Sequence, residues 1–164
     1  MDLLVVNIPF IIVCIFLIWN VTKSVKRGIV RGICDVISIT VASVVVLLIA
    51  FAARKYMDHE RVLFVATVIL LVLLILIYRI IDIFLTTLKI IAKLPVVSFV
   101  NKLMGIPFAI AETVILVWAV YCLILIMDAG AFEVWVMNCV RSNPVMSFLY
   151  ANNYIYGKTY KKGV

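Results

Sequence analysis

The residues that stand out in this sequence are ionisable groups set inside apolar runs. Glu112 lies in the run 103–127, Asp35 near the start of 33–53, and Arg79 and Asp82 toward the end of 62–86. In bilayer hydrocarbon an acidic side chain costs about 2.5–3.5 kcal/mol on insertion scales, so it must be protonated, paired or in contact with water. Counted from Leu103, Glu112 is ~13 Å along its helix, close to the middle of a ~30 Å core, and is the most costly of the set. Asp35 gains from the positive end of its helix dipole. Arg79 is placed to snorkel to the far headgroups, and Asp82, one turn on, is placed to pair with it. The expected basic partner of Glu112 is Arg79. Such a set serves either as a proton or ion relay or as a buried cluster that fixes helix register.

The elements that hold these residues are apolar runs at 3–22, 33–53, 62–86 and 103–127. About 20 apolar residues suffice to cross the hydrocarbon as a helix. Hydrophobic residues make up 67% of the chain and mean hydropathy is +1.28, against an apolar content of roughly 45–50% in soluble domains. Too little polar surface is left to coat a soluble fold. The expected fold is therefore an all-α membrane protein: a single membrane domain, 1–164, with four transmembrane helices. The first run starts at Met1-Asp2 without basic residues and lacks a small-residue cleavage site, so it is expected to stay on the mature protein as a span. The tail 128–164 is broken by Arg141, Asn143 and Pro144 and carries Trp135, Phe148, Tyr150, Tyr154 and Tyr156. Aromatics of this kind favour the headgroup layer, so short interfacial helices on either side of Pro144 are expected.

Two small-residue faces are candidates for helix packing. Gly28, Gly32, Asp35, Ser38 and Ala42 recur at helical spacing on the second span, and Gly105, Ala109, Glu112 and Ala119 on the fourth. Small residues let backbones approach where lipid supplies no hydrophobic drive for association. The competing use of the same faces is to line a polar pathway.

No nucleotide-binding, nucleophile-elbow or zincin motif is present, and His59 is the only histidine, read as a solvated loop residue. No cofactor, metal or catalytic residue is expected, and the protein is expected not to be an enzyme. Cys14, Cys34, Cys122 and Cys139 form no C-x-x-C pair. Only Cys139, outside the spans, is a candidate for lipidation or a disulfide. The net charge of +7 does not indicate nucleic acid, because the basic residues lie in separate short connectors. Their expected partner is anionic lipid headgroups, and a homo-oligomer or other membrane proteins are further candidates.

Basic residues divide evenly between the two sides of such a bundle. The connector 23–32, with Lys23, Lys26, Arg27 and Arg31, is purely basic and lies directly between two spans, so the positive-inside rule favours both termini outside. Arg31, Asp35, Arg79, Asp82 and Glu112 would then share the cytoplasmic half.

The stretch Lys26-Arg27-Gly28-Ile29-Val30-Arg31-Gly32 that opens the second span resembles the colicin V production protein family of small bacterial inner-membrane proteins. The resemblance continues in Val100-Asn101-Lys102-Leu103-Met104-Gly105 and in Val140-Arg141-Ser142-Asn143-Pro144, and it covers the whole chain in order. Asn101, Gly105 and Ser142 are its motif residues. Two departures are Ala109, where the family often carries glycine, and Pro107 at the start of the last span. The resemblance implies a role in producing or exporting a peptide toxin, or in maintaining the envelope. In some members an extracytoplasmic protease domain follows the membrane domain, which implies an outside C-terminus. This chain is expected to be a stand-alone membrane domain. The alternative expectation is a small oligomeric channel or transporter with a polar path lined by the second and fourth helices, and an intramembrane protease is a distant third.

Overall fold

Apolar backbone removed from water must satisfy its own hydrogen bonds, and a helix does so within one segment. The computed structural model describes residues 3–27, 29–56, 60–89, 105–128 and 130–153. Among them are four long helices, α1 (Leu3–Arg27), α2 (Ile29–Arg54), α3 (Glu60–Lys89) and α4 (Gly105–Met127), and two short ones, α5 (Ala131–Ser142) and α6 (Pro144–Ala151). The described residues contain no strand. Each long helix holds a stretch long and apolar enough to cross a membrane: Asn7–Val25, Gly32–Arg54, Arg61–Phe84 and Gly105–Met127.

Buried hydroxyls are accommodated without leaving their own helices. Ser38, Ser43, Thr67 and Thr113 each donate to the carbonyl one turn back, at 2.7–2.9 Å. This spares the bilayer an unsatisfied polar group. Pro107 falls in the first turn of α4, where its missing N–H has no intrahelical acceptor to lose.

The expected connector 23–32 is mostly helix. α1 runs on through Lys23 to Arg27 and α2 begins at Ile29, because Lys and Arg are good helix formers and extending an existing helix needs no new nucleus. Gly28 and the second-connector residue His59 lie outside the described residues.

α2 and α4 form the central pair, with 39% and 50% of their span windows buried, while α1 and α3 flank them at 11% and 17%. α3 packs mainly on α2, and α1 mainly on α4. The core contains Ala42, Val46 and Ala50 of α2, Leu63, Leu70 and Leu74 of α3, and Ala119, Leu123 and Met127 of α4. Two glycines set the closest approaches. A Cβ on Gly32 would lie 2.7 Å from Cβ of Phe108, and one on Gly105 would lie 2.7 Å from the backbone oxygen of Ser24. Ser24 Oγ also donates to the Gly105 carbonyl at 2.8 Å. Ser38 and Ala42 are fully buried and Ala109 nearly so.

The tail is helical on both sides of Pro144, with Asn143 as the hinge. Asn143 caps α6 by accepting from the backbone N–H groups of Val145 and Met146, and Pro144 takes the first position, where proline is favoured. Asp128 (φ 50°) and Gly130 (φ 57°, ψ −123°) reverse the chain after α4, the second with a backbone that suits glycine. α5 then folds back against α1, and α6 against α4. Trp118 Nε1 donates to the Leu149 carbonyl at 2.9 Å, and Asn153 Nδ2 donates to the Trp118 carbonyl at 3.3 Å. From Trp118 to the Met127 end is about 13 Å of helix axis. The tail therefore packs back along α4 as far as Trp118. Its apolar face of Val136, Val140 and Met146 finds cover against Val117, Tyr121 and Phe10, and the indole N–H gains an acceptor that lipid would not provide.

Tail aromatics follow the same logic. Trp135 stacks on Phe132, which meets Phe64 edge to face, and Tyr121 and Tyr150 form a second edge-to-face pair. Phe148 alone of the described set points outward, and Tyr154 and Tyr156 lie outside the described residues. Cys139 is buried and not in a disulfide, so it does not offer the accessible thiol that lipidation or a disulfide would need.

Candidate functional site

At the end of the bundle where α1 stops and α4 starts, each long helix contributes a polar side chain to one cluster. Lys23 of α1 places Nζ 3.9 Å from Asp35 Oδ2 of α2. The same Nζ donates to the hydroxyl of Tyr78 on α3 at 3.2 Å and lies 5.7 Å from that ring's centre. The Tyr78 hydroxyl in turn donates to Glu112 Oε1 of α4 at 2.8 Å. The side chain of Asp35 is 2% exposed and that of Lys23 20%, so the acid is sealed while the ammonium keeps a route outward along its flexible stem. Deeper along α1 and α4, Asn20 donates to Thr113 Oγ1 at 3.4 Å, with both residues buried.

The helices supply this geometry by periodicity. Residues three or four apart share a face, which lines up Asn20 with Lys23 and Ser24, Tyr78 with Asp82, and Glu112 with Ala109 and Gly105. Asp82 is buried on the Tyr78 face. Arg79 follows Tyr78, and the ~100° turn per residue carries it to the exposed side of α3. The expected pairs Arg79–Glu112 and Arg79–Asp82 are not formed among the described residues; the hydroxyl of Tyr78 reaches Glu112 instead. Glu112 is also shallower than its run suggests, about 10 Å from Gly105 along the helix axis.

Of the expected small face on α2, Gly32, Asp35, Ser38 and Ala42 are buried. Gly28, Asn101 and the side chain of Arg31 lie outside the described residues. Gly105 abuts Ser24, and Ser142 sits on the surface with Oγ donating to the Asn138 carbonyl at 2.8 Å. Two members of the cluster, Lys23 and Tyr78, escape a reading of the sequence for charges in apolar runs. Lys23 falls just past such a run, and a tyrosine inside one counts as apolar. The available signal is register, since Lys23 lies one turn beyond Asn20 and Trp19 on a helix that has no reason to stop.

The arrangement joins cation, hydroxyl and carboxylates across four helices, so it can fix their register, and it can hold a proton between Tyr78 and Glu112. No group of three or more metal-ligating side chains occurs among the described residues.

The family model for the colicin V production protein matches residues 11–149. No curated relative and no solved structure matches the chain. With the match spanning most of its length, the chain belongs to the colicin V production protein family, and its four spanning helices make it a multi-pass bacterial membrane protein.

Proposed function

We propose that this member of the colicin V production protein family acts without catalysis, as an inner-membrane helical bundle that supports toxin production or export, or envelope maintenance, through protein partners. The observation that carries this reading is the family match together with a polar cluster tied across all four spans by two hydrogen bonds and an ion pair. Side chains committed to one another favour a fixed scaffold over an open path. Partners would be other membrane proteins or a second copy, with anionic headgroups around the basic residues, and both termini would be extracytoplasmic.

The test is complementation of a deletion strain, scored for export of a peptide toxin and for survival in membrane-active detergents. The wild-type chain should restore at least one, and so should Glu112→Gln, which keeps the acceptor for Tyr78. Restoration of neither trait by the wild-type chain would remove this reading.

A channel or transporter is the second reading, favoured by the buried polar column of Asn20, Thr113 and Glu112 between α1 and α4. Proton or ion flux in proteoliposomes that disappears in Glu112→Ala would favour it over the scaffold.

A further inference from the structure

The opposite end of the bundle carries a cleft that the polar cluster does not explain. Its volume is about 560 Å³, and it is lined by Phe51, Arg54 and Lys55 from the end of α2, Leu125 and Ile126 from the end of α4, and Asp128 and Glu133 from the reversal into α5. That size is in the range of small-molecule sites. Its walls combine three chemistries: apolar side chains, two cations and two carboxylates. The cleft sits where the spans Gly32–Arg54 and Gly105–Met127 end, the level at which phospholipid headgroups lie.

A ligand that answers all three needs an anion, a cation with N–H donors, and an acyl chain. We propose that this cleft binds a phospholipid with a primary-amine headgroup, of the phosphatidylethanolamine class, with its phosphate on Arg54 and Lys55 and its ammonium between Asp128 and Glu133. The acyl chains would run along Phe51, Leu125 and Ile126.

The local contacts support this. Arg54 meets Asp128 at 3.5 Å, with their side chains 34% and 66% exposed, and an ion pair so open is weak. A zwitterion replaces it with two charge-assisted contacts. Asp128 and Glu133 are close enough that burial and then the Asp128 charge raise the Glu133 carboxyl above its ordinary range, and an ammonium between them relieves that repulsion. A primary ammonium brings three N–H donors, whereas a trimethylated one brings none. An anionic headgroup would set its charge beside two carboxylates.

The experiment is native mass spectrometry of the full chain in detergent. It is titrated separately with phosphatidylethanolamine, phosphatidylcholine and phosphatidylglycerol of matched acyl chains. Phosphatidylethanolamine should be retained about tenfold better than the other two, the margin that a single charge-assisted hydrogen bond gives. In Asp128→Asn/Glu133→Gln that margin should vanish, and in Arg54→Gln/Lys55→Gln all three lipids should weaken together. Glycerophosphoethanolamine, which has the headgroup without acyl chains, should not displace the lipid. Equal retention of the three lipids, a preference for either of the others, a margin that survives the acid substitutions, or binding unmoved by the basic ones would each overturn the assignment. Displacement by the soluble headgroup would overturn the lipid as its source. Should the acid variant lose its helical circular dichroism, the headgroup series on the wild-type chain decides alone.

Discussion

A hydroxyl set between an ammonium and a carboxylate can do what neither charge does alone, which is to join them without bringing both into the same small volume. Tyr78 has that position, accepting from Lys23 and donating to Glu112. Tyr78→Phe keeps the ring and removes both bonds, so it should cost about 1 kcal/mol, the scale of polar contacts between membrane helices. Glu112→Gln keeps an oxygen to accept from Tyr78 and should be nearly neutral, whereas Glu112→Leu should destabilise at least as much as Tyr78→Phe. Thermal unfolding of the three variants in one detergent checks this order. Equal stability of Glu112→Leu and wild type would show that the bond contributes nothing.

Outside the spans, Glu133 gives a pH dependence with a definite sign. Its carboxyl is raised above the usual 4.5 by burial first and by Asp128 second, so the folded state holds this proton more tightly than the unfolded state. Linkage then makes the folded state gain stability as pH falls from the raised folded value toward 4.5, and lose it as pH rises through the same window. Glu133→Gln should flatten that segment of a melting-temperature profile. An unchanged slope in the variant would assign the dependence to another group.

Between helices, two glycines act as contact points with different tolerance. At Gly105 an added Cβ meets the backbone oxygen of Ser24, which cannot rotate away, and at Gly32 it meets the first carbon of the Phe108 side chain. Gly105→Ala should therefore destabilise α1 on α4 by about 1–3 kcal/mol, and Gly32→Leu should do at least as much to α2 on α4. Melting in detergent, read with accessibility of Cys14 to a thiol reagent, distinguishes loss of α1 from loss of the whole bundle. Wild-type behaviour in Gly105→Ala would mean that the two helices separate freely. The same scale shows what periodicity does and does not disclose. Four long apolar runs are legible because lipid demands length and apolarity, and the break at Pro144 is legible because proline and asparagine have fixed backbone preferences. The return of the tail into the bundle is not, since it depends on a partner for the Trp118 N–H and on a cover for Val136 and Val140, both of which are distant in sequence. Asp35 and Glu112 stand out as charges among apolar residues. Lys23 and Tyr78 need the tertiary neighbours before they join them.

For the whole molecule, the unevenness of burial matters most. α2 and α4 hold the core, and α1 is attached through Ser24, Asn20 and Lys23 at one end and through the tail at the other. The purely basic segment 23–32 belongs to the cluster end, and the proposed orientation, with both termini outside, would set that end in the cytoplasm. A reporter fused at Val164 checks this: alkaline phosphatase should be active there and a fluorescent cytoplasmic reporter dark. The reverse pattern would invert the molecule, placing the cluster in the outer half and the lipid cleft on the cytoplasmic face.

The Lys23–Asp35 contact also bears on how such a chain enters a membrane. α1 and α2 emerge from the ribosome in succession and before Tyr78 or Glu112 exists. Delivered singly, each charge would carry a penalty below the ~2.5–3.5 kcal/mol of a helix centre, because both lie near the ends of their spans. Delivered together, on consecutive helices with Nζ and carboxylate 3.9 Å apart, they enter with no net charge. The partners on α3 and α4 then arrive at a polar seat already in place, so the order of synthesis is also an order of neutralisation.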